Sequence, residues 1–128
     1  MKDGYLDGFV FPVPSRHLSV YQSIATRVAE LWCAYGAIGY HEFLGDELFL
    51  PGTLSFKDKI EHSEDETLIF GWVLFPSKAI RNEAHDKIAK DDSIQQLVAD
   101  LIKPDVMIFD AKRMYFGGFS PFINISKK

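Results

Sequence analysis

The sequence has a single cysteine, Cys33, among its 128 residues. An intrachain disulfide is therefore excluded, and so are the paired-cysteine motifs of zinc and thiol-redox proteins. A reducing compartment suits such a chain, and we expect the protein in the cytoplasm. The adjacent turn of the predicted helix supplies no basic side chain, so we expect Cys33 to be an inert, partly buried thiol.

Basic clusters and long apolar runs are also absent. The net charge is −4, and the longest basic cluster is Lys127-Lys128, whereas a nucleic-acid-binding surface needs many lysines and arginines. No apolar run approaches the ~20 residues that cross a bilayer. A strand pattern begins almost at Met1, so we expect no signal peptide. Neither nucleic acid nor membrane is an expected partner.

Motifs for metals, cofactors and activated nucleophiles are missing too. No two of the four histidines have the spacing of a ligand pair, and we interpret them as incidental. They are His17, His41, His62 and His85. Gly117-Gly118 lies in a strand pattern with no helix after it, so it is not a phosphate loop. We predict no metal and no cofactor.

What the sequence does contain is a run of apolar residues, 67–75, in which both faces of a strand are hydrophobic. Leu68, Phe70 and Trp72 share one face, and Ile69 and Val73 lie on the other. A strand without a polar face must be covered above and below. The run is therefore predicted to be a central strand of a sheet that packs on both sides.

Hydrophobic periodicity and turn residues predict the other elements. A first strand covers residues 5–13, ended by Pro12 and Pro14. Ser15 is a candidate cap of the helix that follows, and Ser19 with Gln22 offers a second, capping-box match one turn later. Gly36 ends that helix. The remaining predictions are a strand at 38–44, a short strand at 53–56, a solvated loop at 57–66, a second helix capped by Ser77, a further helical segment ended by Pro104, and a last strand at 112–123.

The resulting order, βαββαβ, predicts an α+β, ferredoxin-like domain spanning residues 1–128. Right-handed crossovers place the first and third strands in the centre of a four-stranded antiparallel sheet, with two main helices on one face. We expect residues 47–66 to form a flexible loop and residues 125–128 a flexible tail.

With both helices on one face, the other face of the sheet lacks cover from its own chain. Such a face projects roughly 400 Å² of apolar surface, at the upper end of what a monomer exposes. Covering it is worth on the order of 10 kcal/mol per chain before the costs of association. Two sheets packed face to face solve this problem, so we predict a homodimer.

The chain resembles the YbaA-like family of bacterial proteins, a domain of unknown function in the dimeric α+β barrel superfamily. The matching stretches are residues 5–14 (YLDGFVFPVP), 36–42 (GAIGYHE), 55–56 (SF), 65–67 (DET) leading to Trp72, 75–77 (FPS), 109–114 (FDAKRM) and 117–119 (GGF). They cover most of the chain in order, and the chain departs from the family at residues 57–59 and 93–104. The resemblance implies a ferredoxin-like protomer in a face-to-face dimer, and it implies no particular activity.

Polar residues on otherwise apolar strands are the candidates for a site. Asp7 is on the first strand and Arg113 on the last, beside it in this fold, so the two are predicted to form a structural ion pair. The functional alternative places Tyr40, Glu42, Trp72 and Arg113 around a cavity between sheet and helices. There a carboxylate near apolar walls would act as a general base.

Two functions follow from these patterns. In one, each protomer of a homodimer binds a small apolar or aromatic molecule between sheet and helices, with or without catalysis. In the other, the protein is a non-catalytic interaction or stress-response dimer whose core is filled by Phe and Leu side chains. The packing of the cavity distinguishes them, because a pocket of a few hundred Å³ with convergent polar groups favours binding.

Overall fold

The computed structural model describes residues 4–127. Met1 to Asp3, where no signal peptide is predicted, and Lys128, the last residue of the predicted tail, lie outside the described residues. The strands are β1 (Tyr5–Pro14), β2 (Gly39–Leu44), β3 (Glu66–Phe75), β4 (Ile102–Lys103), β5 (Val106–Met107) and β6 (Tyr115–Phe119). The α-helices are α1 (Leu18–Ala34), α2 (Phe56–Lys59), α3 (Lys78–Ala89) and α4 (Asp92–Ala99), and 3-10 turns occur at Ser15–His17 and Ala111–Arg113.

The main sheet has the strand order β2-β3-β1-β6, and every neighbouring pair is antiparallel. The predicted ferredoxin-like α+β fold is confirmed, with the first and third strands in the centre. β1 and β3 pair along their whole length, from Tyr5 opposite Phe75 to Pro14 opposite Glu66. This long central pair fixes which residues of every strand share a face.

Alternation along β1 and β3 divides the side chains between a helix-covered face and an open face. Phe11 is on the covered face, where it packs against Tyr21 of α1. Phe75 is on the same face and contacts both Trp32 of α1 and His85 of α3. The two main helices therefore lie on one face of the sheet, as predicted.

The open face is not wholly uncovered, because residues 45–65, called the covering segment below, fold over one end of it. Ile60 is only 4% exposed and packs with Val10 and Leu68. The predicted strand at 53–56 is wrong, since Phe56 instead begins α2, capped by the Ser55 side chain. The loop predicted at 57–66 is not fully solvated, because Ile60, its single large apolar residue, packs on the apolar surface of the sheet.

The end of β1 differs from the prediction. The strand continues through Pro12 to Pro14, although proline cannot donate to a ladder. The pairing with β6 stops at Val10, so a backbone donor is not needed on that side beyond this point. The predicted cap is also wrong: Ser15 Oγ lies 2.8 Å from Thr67 Oγ1 and does not cap the first helix.

Past β3, the chain follows the prediction closely and then departs from it. Ser77 caps α3 by accepting a hydrogen bond from Ile80 N, as predicted. The following helix α4 begins after Asp91, which caps it, and ends at Ala99, well before Pro104. Pro104 instead lies in the turn between the short strands β4 and β5. The last strand, β6, is shorter than predicted at both ends.

Candidate functional site

A cavity of about 190 Å³ lies between the covered face of the sheet and the helices. Most of its lining is aromatic or aliphatic, and its polar residues are confined to Asp7, His85, Glu42 and the hydroxyl groups of Tyr21 and Tyr40. The apolar lining residues are Phe9, Phe11, Ala25, Val28, Trp32, Val73, Val98, Leu101, Phe109, Met114 and Phe116. An apolar chamber with a few polar groups is the usual form of a small-molecule site.

Glu42 of β2 accepts hydrogen bonds from two tyrosines. Tyr21 Oη lies 2.6 Å from Oε1 of Glu42, and Tyr40 Oη lies 2.7 Å from Oε2. Tyr40 and Glu42 are two residues apart on one strand and share a face, whereas Tyr21 reaches them from α1. Both carboxylate oxygens are therefore occupied by phenol hydrogens.

The electrostatics of this cluster keep both phenols protonated. Burial, followed by the neighbouring charge of Glu42, raises the pKa of Tyr21 and of Tyr40 well above the ordinary value of a phenol. Neutral phenols can donate hydrogen bonds and are poor bases. The three side chains form a fixed polar wall.

A second cavity of about 380 Å³ lies on the other side of this wall, between α1 and the β2 edge of the sheet. Tyr21, Tyr40, Glu42 and Ala25 line both cavities. A change in this cluster or at Ala25 would therefore alter both chambers.

Asp7 of β1 also lines the first cavity and is only 2% exposed. Its Oδ1 accepts a hydrogen bond from Nε of Arg81 at 3.0 Å, and Nη2 of Arg81 lies 3.0 Å from the same oxygen in an ion pair. Its Oδ2 lies 2.7 Å from Nε2 of His85. A buried carboxylate is costly unless its oxygens are satisfied, and these two residues of α3 satisfy it.

The structure brings together only part of the predicted site. Tyr40 and Glu42 line the cavity, but Trp72 lies on the open face, where its ring stacks on Phe43. The reason is the register, since Glu42 pairs with Gly71 and the next residue of β3 must point to the opposite face. The predicted grouping of Trp72 with Glu42 is wrong.

The predicted ion pair between Asp7 and Arg113 is also wrong. Arg113 precedes β6 and binds Glu66 through two hydrogen bonds, Nη1 to Oε2 at 2.7 Å and Nη2 to Oε1 at 2.8 Å. In the sheet, Asp7 lies opposite Gly118, so Arg113 is several residues away along the strand. Arg113 therefore lies outside the cavity lining, and its role is to hold the start of β3.

Sequence reasoning missed Arg81, His85 and Tyr21. Arg81 and His85 are four residues apart on α3, a spacing that places two side chains on the same helix face. Asp7 shares a strand face with Phe9 and Phe11, so it required a buried partner. A search for cations four residues apart on a helix packed over β1 would have found this pair.

Residues 4–127 contain no group of three potential ligands that could hold a metal ion, and none of their helices is long and apolar enough to span a bilayer. Cys33 is exposed on α1, so the predicted partial burial of this thiol is wrong.

Solved structures with this fold include an oxygenase and proteins without a described activity. SnoaB, described as a cofactor-independent oxygenase from Streptomyces nogalater, is similar with a TM-score of 0.57 and 11% identity over 98% of this chain and 99% of that one. A NIPSNAP-like domain protein from Burkholderia xenovorans matches with a TM-score of 0.60 and 12% identity over 99% of this chain and 92% of that one. At such identities, the likeness shows the fold alone.

Sequence comparison gives nearer relatives. The uncharacterized protein YbaA of Escherichia coli K12 is 30% identical over 120 residues, which is 94% of this chain and 97% of that protein. The YbaA protein of Shigella flexneri matches to the same extent. The model of the family described as "Protein of unknown function (DUF1428)" matches residues 4–111. The predicted resemblance is confirmed, and the chain belongs to this family.

Proposed function

We propose that the protein binds a small aromatic or apolar molecule in the cavity between the sheet and the helices. The observation that carries the proposal is the unfilled chamber of about 190 Å³, whose lining includes two hydrogen-bonded carboxylates, those of Asp7 and Glu42. An engineered apolar cavity of about 150 Å³ binds benzene. The volume therefore suits one substituted aromatic ring.

The arrangement of polar groups supports the same proposal. Core carboxylates add no apolar packing and carry a desolvation cost, yet Asp7 and Glu42 both line this chamber. The aromatic lining between them suits an apolar body with a polar substituent at one end. The alternative, a non-catalytic interaction dimer with a filled core, has less support because the chamber is not filled.

Calorimetric titration with phenol and 4-nitroanisole tests this function. For ligands of this size we expect dissociation constants on the order of 0.1 mM. Ala25→Leu would fill the space beside Glu42, so binding should weaken by about tenfold or more while the protein stays folded. Ala34→Leu is the matched control, because Ala34 is an exposed residue of the same helix. Equal affinities in the two variants would place binding elsewhere.

Glu42→Gln tests the polar wall in the same titrations. The change removes the negative charge of the carboxylate that accepts hydrogen bonds from the Tyr21 and Tyr40 hydroxyl groups. We therefore expect the affinity for phenol to change. Glu47→Gln, an exposed change of the same kind, should have no effect. If every probe binds Glu42→Gln as it binds the unchanged protein, Glu42 is not part of the site. The general-base role of Glu42 stays a prediction.

We also infer that two copies pair through the open face of the sheet. Aromatic side chains remain exposed on this face despite the covering segment; Phe43, Phe70, Tyr115 and Phe119 are each 44–58% exposed. Phe70, Tyr115 and Phe119 line a groove of about 660 Å³. An exposed apolar face of this kind is stabilised by being covered, and a two-fold pair is its simplest closure. The cytoplasmic location likewise stays a prediction.

A further inference from the structure

His85 is held by Asp7 in a way that leaves one ring nitrogen available. Nε2 lies 2.7 Å from a carboxylate oxygen that can only accept, so Nε2 carries the hydrogen. The lone pair of the neutral ring is then on Nδ1. Among residues 4–127, no group forms a hydrogen bond with this nitrogen. An oriented imidazole with a free lone pair is a proton acceptor.

The surroundings of His85 allow a ligand to reach it. The ring lines the cavity. Its centroid lies 5.3 Å from the ring centroid of Trp32 and 6.3 Å from that of Phe116. The side chain is 35% exposed, whereas that of Asp7 is 3% exposed. Asp7 from β1 and Arg81 on the same helix are its charged neighbours. The base is therefore accessible and its carboxylate partner is not.

Glu42 and His85, which both line the cavity, differ in whether they can accept a hydrogen bond from a ligand. Both oxygens of Glu42 already accept from phenols, so a ligand that donates a hydrogen bond would have to displace one of them. Nδ1 of His85 has no such competitor among the described residues. A donor group of the ligand is therefore favoured at His85, with its apolar ring lying toward Glu42.

We propose that the cavity takes a hydroxyaromatic compound and that His85 removes its hydroxyl proton at Nδ1, an inference that rests on the proposed binding function. The ligand O–H bond breaks, an N–H bond forms, and the electron pair stays on the ligand oxygen. A phenolate–imidazolium pair results with no change in total charge. Asp7 is a positioning residue that stabilises the imidazolium. Arg81 offsets the negative charge of the Asp7 carboxylate.

The probe that tests this step is 4-nitrophenol, whose phenolate absorbs at longer wavelength than the phenol. Spectra are recorded with the full-length protein at a pH where the free probe is mostly protonated. The unchanged protein is expected to give the phenolate band on binding. In His85→Gln, which keeps a donor for Asp7 but lacks a base, the bound phenolate fraction should fall by about tenfold. His17→Gln, lying outside the cavity lining, is the matched control.

A second probe separates failure of this step from failure of binding. The methyl ether 4-nitroanisole has the same ring and no acidic proton, so it should bind the unchanged protein and His85→Gln alike. If neither probe binds, the proposed function and this inference both fail. If both bind and 4-nitrophenol gives the same phenolate fraction in each protein, binding stands and the role of His85 is overturned.

Nitrogen-15 spectra of the histidines in the unchanged protein decide the question even if His85→Gln does not fold. The free protein should show His85 with a hydrogen on Nε2 and none on Nδ1. Saturation with 4-nitrophenol should convert the ring to the imidazolium, and 4-nitroanisole should not. An imidazolium already present without ligand at neutral pH would contradict the proposal, because no lone pair would be available.

Discussion

At the scale of single residues, the ion pair of Glu66 and Arg113 gives a direct prediction of pH dependence. The Arg113 guanidinium lowers the pKa of Glu66 from its ordinary 4.5 to about 2. Because the pKa of Glu66 is lower in the folded protein than in the unfolded chain, the ionised side chain stabilises the fold at pH values above the unfolded-state pKa. This stabilisation is lost as the pH falls towards 2. Glu66→Gln should therefore cost about 1 kcal/mol of unfolding free energy at pH 7, since the pair is partly exposed.

Urea unfolding of both proteins at several pH values measures this effect. The difference in unfolding free energy between the unchanged protein and Glu66→Gln should shrink towards zero between pH 5 and pH 2. Glu47→Gln, at an exposed position, should change little at any pH. A difference that stayed constant across the range would mean that the charge of Glu66 contributes nothing.

The same scale shows why the site was only half predictable. Tyr40 and Glu42 share a strand face because they are two residues apart, and this needs no knowledge of the fold. Arg81 and His85 meet Asp7 across 74 and 78 residues of chain, so their pairing depends on how α3 docks on the sheet. Arg113 was misassigned because the sequence does not show where β6 begins.

At the scale of elements, Gly71 of β3 allows the strands beneath the cavity to pack closely. A Cβ there would lie 2.7 Å from the carbonyl oxygen of His41, 2.8 Å from Cζ of Phe9 and 2.9 Å from Cγ of Glu42. Since a backbone atom is among them, β2 must shift. Gly71→Ala should destabilise the protein by about 1–3 kcal/mol and weaken binding of 4-nitroanisole.

Thermal unfolding and calorimetry check this prediction against Gly8→Ala. Gly8 lies on the neighbouring strand opposite Trp72, and a Cβ there would be 3.5 Å from Leu6 Cδ2, an ordinary contact. That variant should keep its stability and its affinity for the probe. Equal losses in the two variants would indicate a general effect of alanine in this sheet.

Elements with a strong periodic pattern were predictable, and those that depend on distant contacts were not. The central run of β3 and the caps at Gly36 and Ser77 are local signals, and all three are seen in the structure. Gly36 has a φ of +124°, which disfavours other residues. Helix α2 and the burial of Ile60 were missed because the covering segment takes its form from the sheet surface beneath it.

At the scale of the whole molecule, the open face and the terminal segment together explain why two copies should pair. A four-stranded sheet projects about 400 Å², roughly half of the ~800 Å² per partner that stable interfaces bury. Beyond β6, Phe122, Ile123 and Ile125 are 95%, 78% and 90% exposed. These side chains can supply additional area by packing on the second copy.

The decisive variant for pairing is Phe70→Glu, which adds a charge to the central strand of the open face, where Phe70 contacts Phe56 and Trp72. Because Phe70 is 44% exposed within one protomer, the protomer should fold normally, while burying the carboxylate between two sheets costs several kcal/mol.

Sedimentation equilibrium at micromolar concentration should give twice the chain mass for the unchanged protein and for Val20→Glu, a similarly exposed position on α1. Phe70→Glu should give a single chain, with its dimer dissociation constant raised at least about 100-fold. A mass of one chain for the unchanged protein would contradict the proposed pairing, because no second copy would then cover the open face.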